Sequence, residues 1–402
     1  MSLIVKKFGG SSVANTERIF NVAQIIVDDY KKGNEVITVV SAQGDTTDDL
    51  IEKAKEINGG SISKREMDML LTAGEQISIA LLAMAIEKLG CPVISLLGWQ
   101  AGFNTDSNHG IARIKNINTE RIKAELAKKN IIIVAGFQGI NKYDDLTTLG
   151  RGGSDTSAVA IAAAMHANRC QIYTDVDGVY TADPRKVKNA KKLDEITYDE
   201  MLELATLGAQ VLNNRSVEMA KKYSVELEVL SSLERKDGTI VRENTKMEKM
   251  LIRGVTSDKN VDTISVIGLK DLPGVAFKLF NKLAQYKVNV DMIIQSVGRD
   301  GTKDISFTVS HDQADAAVES IESLKSIFQY SNIKKDENVA KVSVVGAGME
   351  SHPGVAAKMF EALFDADVNI RMITSSEIKI SVLIDKSQTD KAVAAVHEAF
   401  LG

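Results

Sequence analysis

The sequence predicts an α/β fold: a three-layer α/β/α domain with a mostly parallel sheet, followed by two ferredoxin-like βαββαβ domains. Two observations lead to this prediction. The first half of the chain alternates short, apolar, β-branched runs with amphipathic stretches, which is typical of a parallel sheet covered on both faces. The C-terminal part repeats itself at an interval of 80 residues, which indicates two copies of one small domain.

The elements of the first half follow from hydrophobic periodicity. Buried strands are predicted at Leu3–Phe8, Glu35–Ser41, Val93–Leu97, Ile131–Ala135 and Gln171–Thr174. Helices are predicted at Thr16–Lys32, Thr46–Ile57, Arg65–Leu89, Thr119–Lys129 and Asp155–Ala167. Ligands of such sheets bind at the carboxyl ends of the strands, so a functional site is expected in the loops that follow them.

The repeat aligns Leu272–Ile293 with His352–Ile373. In each copy the sequence pattern predicts a strand, a helix with a proline in its first turn, two further strands and a second helix. The second copy stops at Leu401–Gly402 without its last strand, so Met250–Thr256 is predicted to cross over and complete it. The charged segment Leu233–Met250 marks the boundary. The predicted domains are 1–245, then 263–335, and then 250–262 together with 336–402.

Composition excludes several classes of protein. The chain has 49 basic and 54 acidic residues, a net charge of −5, so a basic surface for nucleic acid is not expected. Its two cysteines exclude a disulfide framework, its five histidines lack metal-binding spacing, and no metal ligands are predicted. Without an apolar leader or an apolar run near ~20 residues, the chain is expected to be cytoplasmic, with no membrane partner.

The loop Lys7–Ser12, with the sequence KFGGSS, lies between the first strand and the first helix. Glycines there let backbone N–H groups approach an anion, and a helix N-terminus favours negative charge. Lys7 would place a positive charge on a transferring phosphoryl group. The loop is not a Walker A motif. An ordinary strand–helix turn with a surface lysine remains the alternative.

Glu75 is predicted to lie on a helix face that it shares with Leu71 and Ile79. A carboxylate on an apolar face needs a partner, which is either the amino group of a ligand or an internal salt bridge. Ser41 and Thr47 follow the second strand, where their hydroxyls either bind a ligand or cap the next helix.

Two further loops carry polar groups at strand ends. In TTLGRGGSDTSA (Thr147–Ala158), Arg151 offers a fork for a carboxylate or phosphate and Asp155 is suited to orient Lys7; the alternative is a glycine-rich hairpin with a capped helix. TDVDGVYTADPR (Thr174–Arg185) lacks the spacing of a calcium loop. It is interpreted as a nucleotide-contacting loop through Tyr180 and Arg185, or else as a solvated turn.

Together these motifs are more specific than any one of them. KFGGSSVAN, VVSAQGDTTDDL, MDMLLTAGEQIS, TTLGRGGSDTSAVA and TDVDGVYTADPR occur in the order expected of aspartate kinases. The whole chain therefore resembles the monofunctional aspartate kinases of the amino acid kinase family, and the repeated domains resemble their tandem ACT domains. The resemblance implies ATP-dependent phosphorylation of the L-aspartate β-carboxylate to 4-phospho-L-aspartate, the first step of lysine, threonine and methionine biosynthesis.

The resemblance also implies roles for individual residues. Lys7 and Asp155 are the implied catalytic residues, and Mg²⁺ is held through the nucleotide phosphates. ATP is implied to contact Lys7, Gly9, Gly10, Ser11, Thr174, Asp175, Tyr180, Asp183 and Arg185. L-Aspartate is implied to contact Ser41, Thr47, Glu75, Arg151, Gly152 and Ser154, with Glu75 taking the ammonium and Arg151 the α-carboxylate.

The paired ACT domains imply a sensor for an inhibitory amino acid, lysine or threonine or both, and a homo-oligomer assembled through these domains. The implied effector residues are Asp271, Ala276, Asn289, Val290, Asp291 and Gln295 in the first copy, and Val355, Ala356, Asn369, Ile370, Ser376 and Glu377 in the second. Ordinary turn chemistry is the alternative for these residues. Alternatives for the whole chain are another amino acid kinase, such as acetylglutamate kinase, or a non-catalytic amino-acid sensor.

Overall fold

The computed structural model describes residues 2–59, 61–207, 211–245, 251–296, 301–325, 329–347, 349 and 352–402. They divide into two compact units. The N-terminal unit lies within Met1–Val179, Lys192–Thr206 and Gln210–Glu248, and the C-terminal unit lies within Tyr180–Lys191, Leu207–Ala209 and Lys249–Gly402. Met1 and Met250, which open the predicted first domain and the predicted crossover strand, lie outside the described residues.

The N-terminal unit contains two sheets. Its strands are β1 (Leu3–Phe8), β2 (Glu35–Val40), β3 (Val93–Leu96), β4 (Phe103–Thr105), β5 (Ile114–Ile117), β6 (Ile131–Ala135), β7 (Gln138–Ile140), β8 (Leu146–Thr148), β9 (Arg169–Thr174), β10 (Glu195–Thr197), β11 (Leu227–Ser231) and β12 (Thr239–Arg242). The main sheet has the order β10-β12-β11-β9-β1-β2-β6-β3, and all its ladders are parallel except that between β11 and β12. The smaller sheet has the order β5-β4-β7-β8.

The helices of this unit are α1 (Thr16–Lys31), α2 (Thr46–Asn58), α3 (Lys64–Lys88), α4 (Glu120–Ala127), α5 (Gly153–Met165), α6 (Tyr198–Thr206) and α7 (Asn214–Tyr223). All five strands and five helices that periodicity predicted are present, with ends that differ by at most two residues. β6 is buried along its whole length, as expected for a central parallel strand. Val22 and Ile26 of α1 pack with Leu82 and Ile86 of α3 in one core cluster.

The helix α3 as a whole is apolar over a greater length than its uninterrupted apolar runs indicate. By length and composition alone, α3 with its apolar window of 18 residues is long and apolar enough to cross a membrane. Half of that window is buried inside the fold, and the buried carboxyl groups of Asp68 and Glu75 lie on the same helix. A core helix of a soluble protein has these properties, so we interpret α3 as a core helix.

The C-terminal unit contains two four-stranded antiparallel sheets. Its strands are β13 (Gly254–Asp258), β14 (Val261–Lys270), β15 (Ile293–Gln295), β16 (Thr302–Ser310), β17 (Asn332–Asp336), β18 (Val339–Val345), β19 (Met372–Ser375) and β20 (Lys379–Asp385). Its helices are α8 (Val275–Gln285), α9 (Ala314–Glu322), α10 (Val355–Asp365) and α11 (Thr389–Leu401). The sheet orders are β15-β16-β14-β17 in the first copy and β13-β18-β20-β19 in the second.

The second copy takes its edge strand from the chain before the first copy. β13 pairs antiparallel with β18, with Gly254 opposite Val345 and Asp258 opposite Lys341. The first copy, β14 to β17, therefore lies between two parts of the second copy in sequence. The pairing residues are Gly254–Asp258, somewhat later than the predicted Met250–Thr256.

The helix starts of the two copies differ from the prediction in one detail. The expected place for Pro273 was the first turn of a helix, but α8 begins two residues later, at Val275. Gly274 is the N-cap with φ 88°, and Gly354 has the same role before α10 with φ 96°. Because side chains rarely adopt this left-handed backbone, glycine is favoured at both N-caps.

Candidate active site

Two loops meet at the carboxyl ends of β1 and β2. The strands are parallel, with Phe8 opposite Val40, so their following loops leave the same edge of the sheet. The Ser41 N–H donates to the Phe8 carbonyl at 3.1 Å, and the Gly44 N–H donates to the Gly10 carbonyl at 3.0 Å. A Cβ at Gly10 would lie 2.5 Å from the Ala42 carbonyl oxygen, so only glycine fits there. The predicted glycine loop and the Ser41 loop therefore form one surface.

Lys7 lies beside this loop and is not a surface lysine. Its Nζ is 2.7 Å from Oδ1 of Asp155, and the two side chains are only 13% and 11% exposed. Asp155 lies in the first turn of α5, the helix that the predicted glycine-rich loop opens. The structure thus brings together the two residues predicted to be catalytic, and the surface position that the alternative interpretation gave to Lys7 is wrong.

Glu75 is buried on α3, only 3% exposed, against the Ser41 loop. Its Oε1 accepts a hydrogen bond from the Ala42 N–H at 3.1 Å, whereas Oε2 has no hydrogen-bond partner among the described residues. Burial raises the pKa of Glu75 to about 7. A Cβ at Gly74 would lie 2.8 Å from Cβ of Ala42, so the glycine lets α3 approach the loop closely.

The salt-bridge interpretation of Glu75 is wrong. Within the described part of the chain, no lysine, arginine or histidine forms an ion pair with it. A buried carboxyl group with one unpaired oxygen is an anomaly in a folded protein, because burial without a partner is unfavourable. The arrangement is that of an acceptor for a cationic group supplied from outside the chain.

The glycine-rich loop before α5 has the left-handed backbone that glycines provide, with φ 81° at Gly150 and φ 69° at Gly152. Ser154 is 6% exposed and packs against Gly136, where a Cβ would lie 2.7 Å from the serine Oγ. Arg151 is exposed at the loop tip. The loop therefore positions a buried hydroxyl and an accessible guanidinium on the same turn, as the ligand-binding interpretation requires.

Sequence reasoning missed the residues that support this loop. Arg215 donates to the carbonyls of Leu149 at 2.9 Å and Ala112 at 3.0 Å, and Asn213 donates to the Arg151 carbonyl at 3.2 Å. Asp68 is fully buried and accepts from Gly110 N–H and from the Thr148 hydroxyl at 2.6 Å. Asn213 precedes α7 as an N-cap, which was the one available signal.

The loop after β9 is tied to the first glycine loop through one serine. The Ser12 hydroxyl donates to the Ser232 hydroxyl at 2.9 Å, and the Ser232 N–H donates to the Thr174 carbonyl at 2.9 Å. Thr174 ends β9, and its Oγ1 accepts from the Val176 N–H at 3.0 Å. Asp175 is exposed. Ser232 was not predicted and links two of the predicted loops.

The remaining predicted nucleotide residues, Tyr180, Asp183 and Arg185, belong to the C-terminal unit. The Arg185 guanidinium makes two hydrogen bonds of 3.0 Å to the Asp183 carboxylate. These bonds hold the pKa of Asp183 below its usual range. The guanidinium is 88% exposed, so it is accessible to a further anion while it is paired. The predicted boundary at 245 did not anticipate that this part of the loop packs with the C-terminal unit.

The implied effector residues lie at turns of the two ACT-like copies. Asp271 lies 3.0 Å from the Lys303 ammonium, and Asp291 forms an ion pair with Lys341. Both lysines lie in strands and are almost buried, with side chains 10% and 5% exposed. The other implied residues are Ala276, Asn289, Val290 and Gln295 around α8 and β15, and Val355, Ala356, Asn369, Ile370, Ser376 and Glu377 around α10 and β19. Their turn-chemistry alternative stays open.

Known proteins resemble the chain over its whole length. The amino acid kinase family matches residues 2–231, and an ACT domain family matches residues 264–324 and 342–400. An aspartokinase from Bacillus sp. strain MGA3 is 51% identical over 401 residues, which cover 100% of this chain and 97% of the relative. The chain belongs to the aspartokinase family.

Solved aspartokinase structures agree with this membership. E. coli aspartokinase III in complex with aspartate and ADP is 25% identical, covers 100% of both chains and has a TM-score of 0.84. The same E. coli protein in complex with lysine and aspartate has a TM-score of 0.77, at 25% identity and 100% coverage of both chains. The predicted fold class, an α/β amino acid kinase domain followed by ACT domains, is confirmed.

Proposed function

We propose that this chain transfers the γ-phosphoryl group of ATP to the β-carboxylate of L-aspartate and so forms the acyl phosphate 4-phospho-L-aspartate. The observation that carries the proposal is the buried carboxyl group of Glu75, one oxygen of which is unpaired within the described part of the chain, at the same sheet edge as the Lys7–Asp155 pair. An amino-acid substrate supplies the missing ammonium. The E. coli relative solved with aspartate and ADP supports this choice of substrates.

In this proposal Glu75 binds the substrate ammonium and Arg151 binds the α-carboxylate. Ser41, Thr47, Gly152 and Ser154 surround the rest of the substrate. An ammonium next to Glu75 stabilises the ionised carboxylate, whose pKa burial has raised to about 7. N-acetylglutamate carries no ammonium and would leave the buried carboxyl group unpaired, so the acetylglutamate kinase alternative is disfavoured.

In this proposal the protein promotes phosphoryl transfer by positioning the reacting groups and by stabilising their negative charge. The N–H groups of Gly9, Gly10 and Ser11 receive the ATP phosphates, and Lys7 stabilises the negative charge on the transferred group. Asp155 holds the Lys7 ammonium in place. The β-carboxylate is already ionised at pH 7 and attacks without a general base. Mg²⁺ enters with the nucleotide as part of the substrate complex.

The adenosine part of ATP is assigned to Thr174, Asp175, Tyr180, Asp183 and Arg185 on the strength of the resemblance. The ACT copies are assigned to feedback inhibition by lysine or threonine or both, and the lysine complex of the E. coli relative supports an amino-acid effector. A homo-oligomer assembled through the ACT copies, a role at the start of lysine, threonine and methionine biosynthesis and a cytoplasmic location complete the proposal.

The proposal is tested by trapping the acyl phosphate. The protein is incubated with ATP, Mg²⁺ and aspartate, and the product is converted to its hydroxamate, with N-acetylglutamate in a parallel reaction. Lysine and threonine are then titrated singly and together. We expect hydroxamate from aspartate alone among the two acceptors, and inhibition by at least one effector. If millimolar aspartate gives no hydroxamate, the chain is not an aspartate kinase, and amino-acid binding without turnover would favour the sensor alternative.

A further inference from the structure

The segment Tyr180–Lys191, which we name the strap, is built into the C-terminal unit. The chain passes from Val179 of the N-terminal unit into the strap and returns to the N-terminal unit at Lys192. The strap carries Tyr180, Asp183 and Arg185 of the proposed nucleotide-binding set. From the sequence, Thr174–Arg185, which includes the first part of the strap, is interpreted as a nucleotide-contacting loop or else as a solvated turn, and such connections normally lie on the protein surface.

Two small apolar residues anchor the strap in a hydrophobic core. Ala182 and Val187 are 5% and 4% exposed, and they belong to the same core cluster as Val393, Val396 and Leu401 of α11. This cluster is the core of the second ACT copy, since it also contains residues of β18 and β20. The strap is therefore part of the interior of that copy, although it is distant from it in sequence.

Thr181 is the centre of the polar contacts in the strap. Its carbonyl accepts from the Val255 N–H of β13 at 2.7 Å, and its hydroxyl accepts from the Lys191 N–H at 2.9 Å. The same hydroxyl lies 2.9 Å from Nε2 of His397 on α11. Thr181 is 1% exposed and His397 is fully buried. One side chain thus closes the strap on itself and fastens it to α11.

Three weaker contacts accompany this buried pair along α11. Lys186 lies 3.3 Å from the Asp390 carboxylate, Asn189 donates to Glu398 at 2.7 Å, and the Lys191 ammonium donates to the Leu401 carbonyl at 3.2 Å. Several of the groups involved are exposed to solvent, and exposed pairs contribute little stability. The Thr181–His397 contact is shielded from water, so its loss leaves a buried polar group without a partner.

We propose that Thr181 and His397 are positioning residues for ATP. By fixing the strap on α11, they set the backbone at Tyr180, which precedes Thr181 directly, and at the Asp183–Arg185 pair two residues further on. The inference rests on the proposed function, because the contact of these three residues with the nucleotide comes from it. Its consequence is that the affinity for ATP, but not for aspartate, depends on the interior of the second ACT copy.

The test compares Thr181→Val with Thr181→Ser in the full-length protein. Valine keeps the shape of threonine and removes the hydroxyl, whereas serine keeps the hydroxyl and serves as the matched control. For Thr181→Val we expect the KM for ATP to rise about tenfold, with the KM for aspartate and kcat within about twofold of wild type. Thr181→Ser should stay within about twofold for all three. His397→Phe should reproduce the effect of valine.

A purely structural role gives a different result. In that case Thr181→Val would lower the active fraction, so kcat would fall while both KM values stayed unchanged, and the proposal would be overturned. Equal increases in both KM values would also overturn it.

A second measurement does not depend on activity. Trypsin cleaves after Arg185 and Lys186, and we expect this cleavage to be faster in Thr181→Val than in wild type or Thr181→Ser. Equal cleavage rates in all three proteins would show that the contact does not hold the strap. If the wild-type protein forms no hydroxamate from aspartate, the proposed function fails, and the cleavage rates still decide whether Thr181 anchors the strap.

Discussion

Nζ of Lys7 lies 2.7 Å from Oδ1 of Asp155, and both side chains are largely buried at the carboxyl edge of the main sheet. Lys7 comes from β1 and Asp155 from the first turn of α5, so the pair joins the predicted glycine loop after β1 to the predicted glycine-rich loop between β8 and α5. The carboxylate fixes the ammonium in one place. A fixed cation at this edge is the group that phosphoryl transfer requires.

Replacing Lys7 removes this fixed charge. We expect Lys7→Ala to lower kcat about a thousandfold, because a charge positioned for the transition state is lost while the fold keeps its other contacts. The hydroxamate assay measures kcat, and circular dichroism checks the fold. The matched control is Lys53→Ala, which removes an exposed lysine of α2. If Lys7→Ala retained wild-type turnover, Lys7 would have no role in the reaction.

The raised pKa of Glu75 predicts a pH dependence for aspartate binding. The pKa in the ligand-free protein is about 7, and only the ionised carboxylate attracts the substrate ammonium. Below pH 7 each unit of acidification therefore raises the KM for aspartate, approaching tenfold per unit, while the KM for ATP stays nearly constant. Initial rates between pH 5.5 and 8.5 measure both constants. A KM for aspartate that did not change with pH would exclude Glu75 as the ammonium partner.

The same group predicts how the stability of the ligand-free protein changes with pH. Folding raises the pKa of Glu75 from 4.5 to about 7, so the folded state binds the proton more tightly than the unfolded state. The associated stability is fully present below pH 4.5 and is lost as the pH rises through 7, an effect of about 3 kcal/mol at most. Glu75→Gln should remove this loss. Urea unfolding of both proteins at pH 5 and pH 8 measures the difference.

The sequence predicts the apolar strands of the main sheet well and the strands of only three residues poorly. The strands β1, β2, β3, β6 and β9 contain clear apolar runs, and the alternating helices have a strong period. Strands of three residues, such as β4 and β7, are too short to show any period, so they were not predicted. Glu75 was found because an acid on an apolar helix face is unusual in any fold.

The strap shows why the rest of the site was not predictable. It contributes Ala182 and Val187 to a core, with Ala190 packed against that core, which is too few apolar residues for a periodic signal. Its partner His397 lies 216 residues from Thr181 in the sequence. Such a pairing depends on tertiary packing alone. The same holds for Asp68 and Arg215, whose hydrogen bonds to backbone groups have no sequence signature.

Lys6, the neighbour of Lys7, leads to a prediction about the stability of the fold, whereas Lys7 led to one about turnover. It is fully buried, its Nζ lies 2.6 Å from Oδ2 of Asp29 and 2.6 Å from Oε1 of Gln171, and burial lowers its pKa. Asp29→Ala leaves this ammonium without its counter-ion, so we expect a loss of about 3 kcal/mol in the free energy of unfolding.

Urea unfolding of the Asp29 variants measures this effect. Because the double variant Lys6→Met with Asp29→Ala removes both charges, we expect it to recover much of the loss. If the double variant were no more stable than Asp29→Ala alone, the unpaired charge would not be the cause.

The ion pair of Asp291 leads to a prediction about inhibition by the effector. It is paired with Lys341, a lysine of β18 whose side chain is 5% exposed. In the proposed function Asp291 belongs to the effector site, so an effector ammonium must compete with the Lys341 ammonium for the same carboxylate. Asp291→Asn removes the charge for which both compete. We therefore expect the effector concentration for half-inhibition to rise at least tenfold, a larger change than any fall in the basal rate.

Hydroxamate assays with increasing lysine and threonine measure half-inhibition in Asp291→Asn and in the control Asp312→Asn, which removes an exposed acid of the same unit. Asp312→Asn should be inhibited like the wild type, because it changes the charge of the unit equally but is not an implied effector residue. The distinction matters because a general loss of negative charge would weaken the binding of any cationic amino acid. If both variants lost inhibition to the same extent, or if the basal rate of Asp291→Asn fell as much as its inhibition, Asp291 would not belong to a separate effector site.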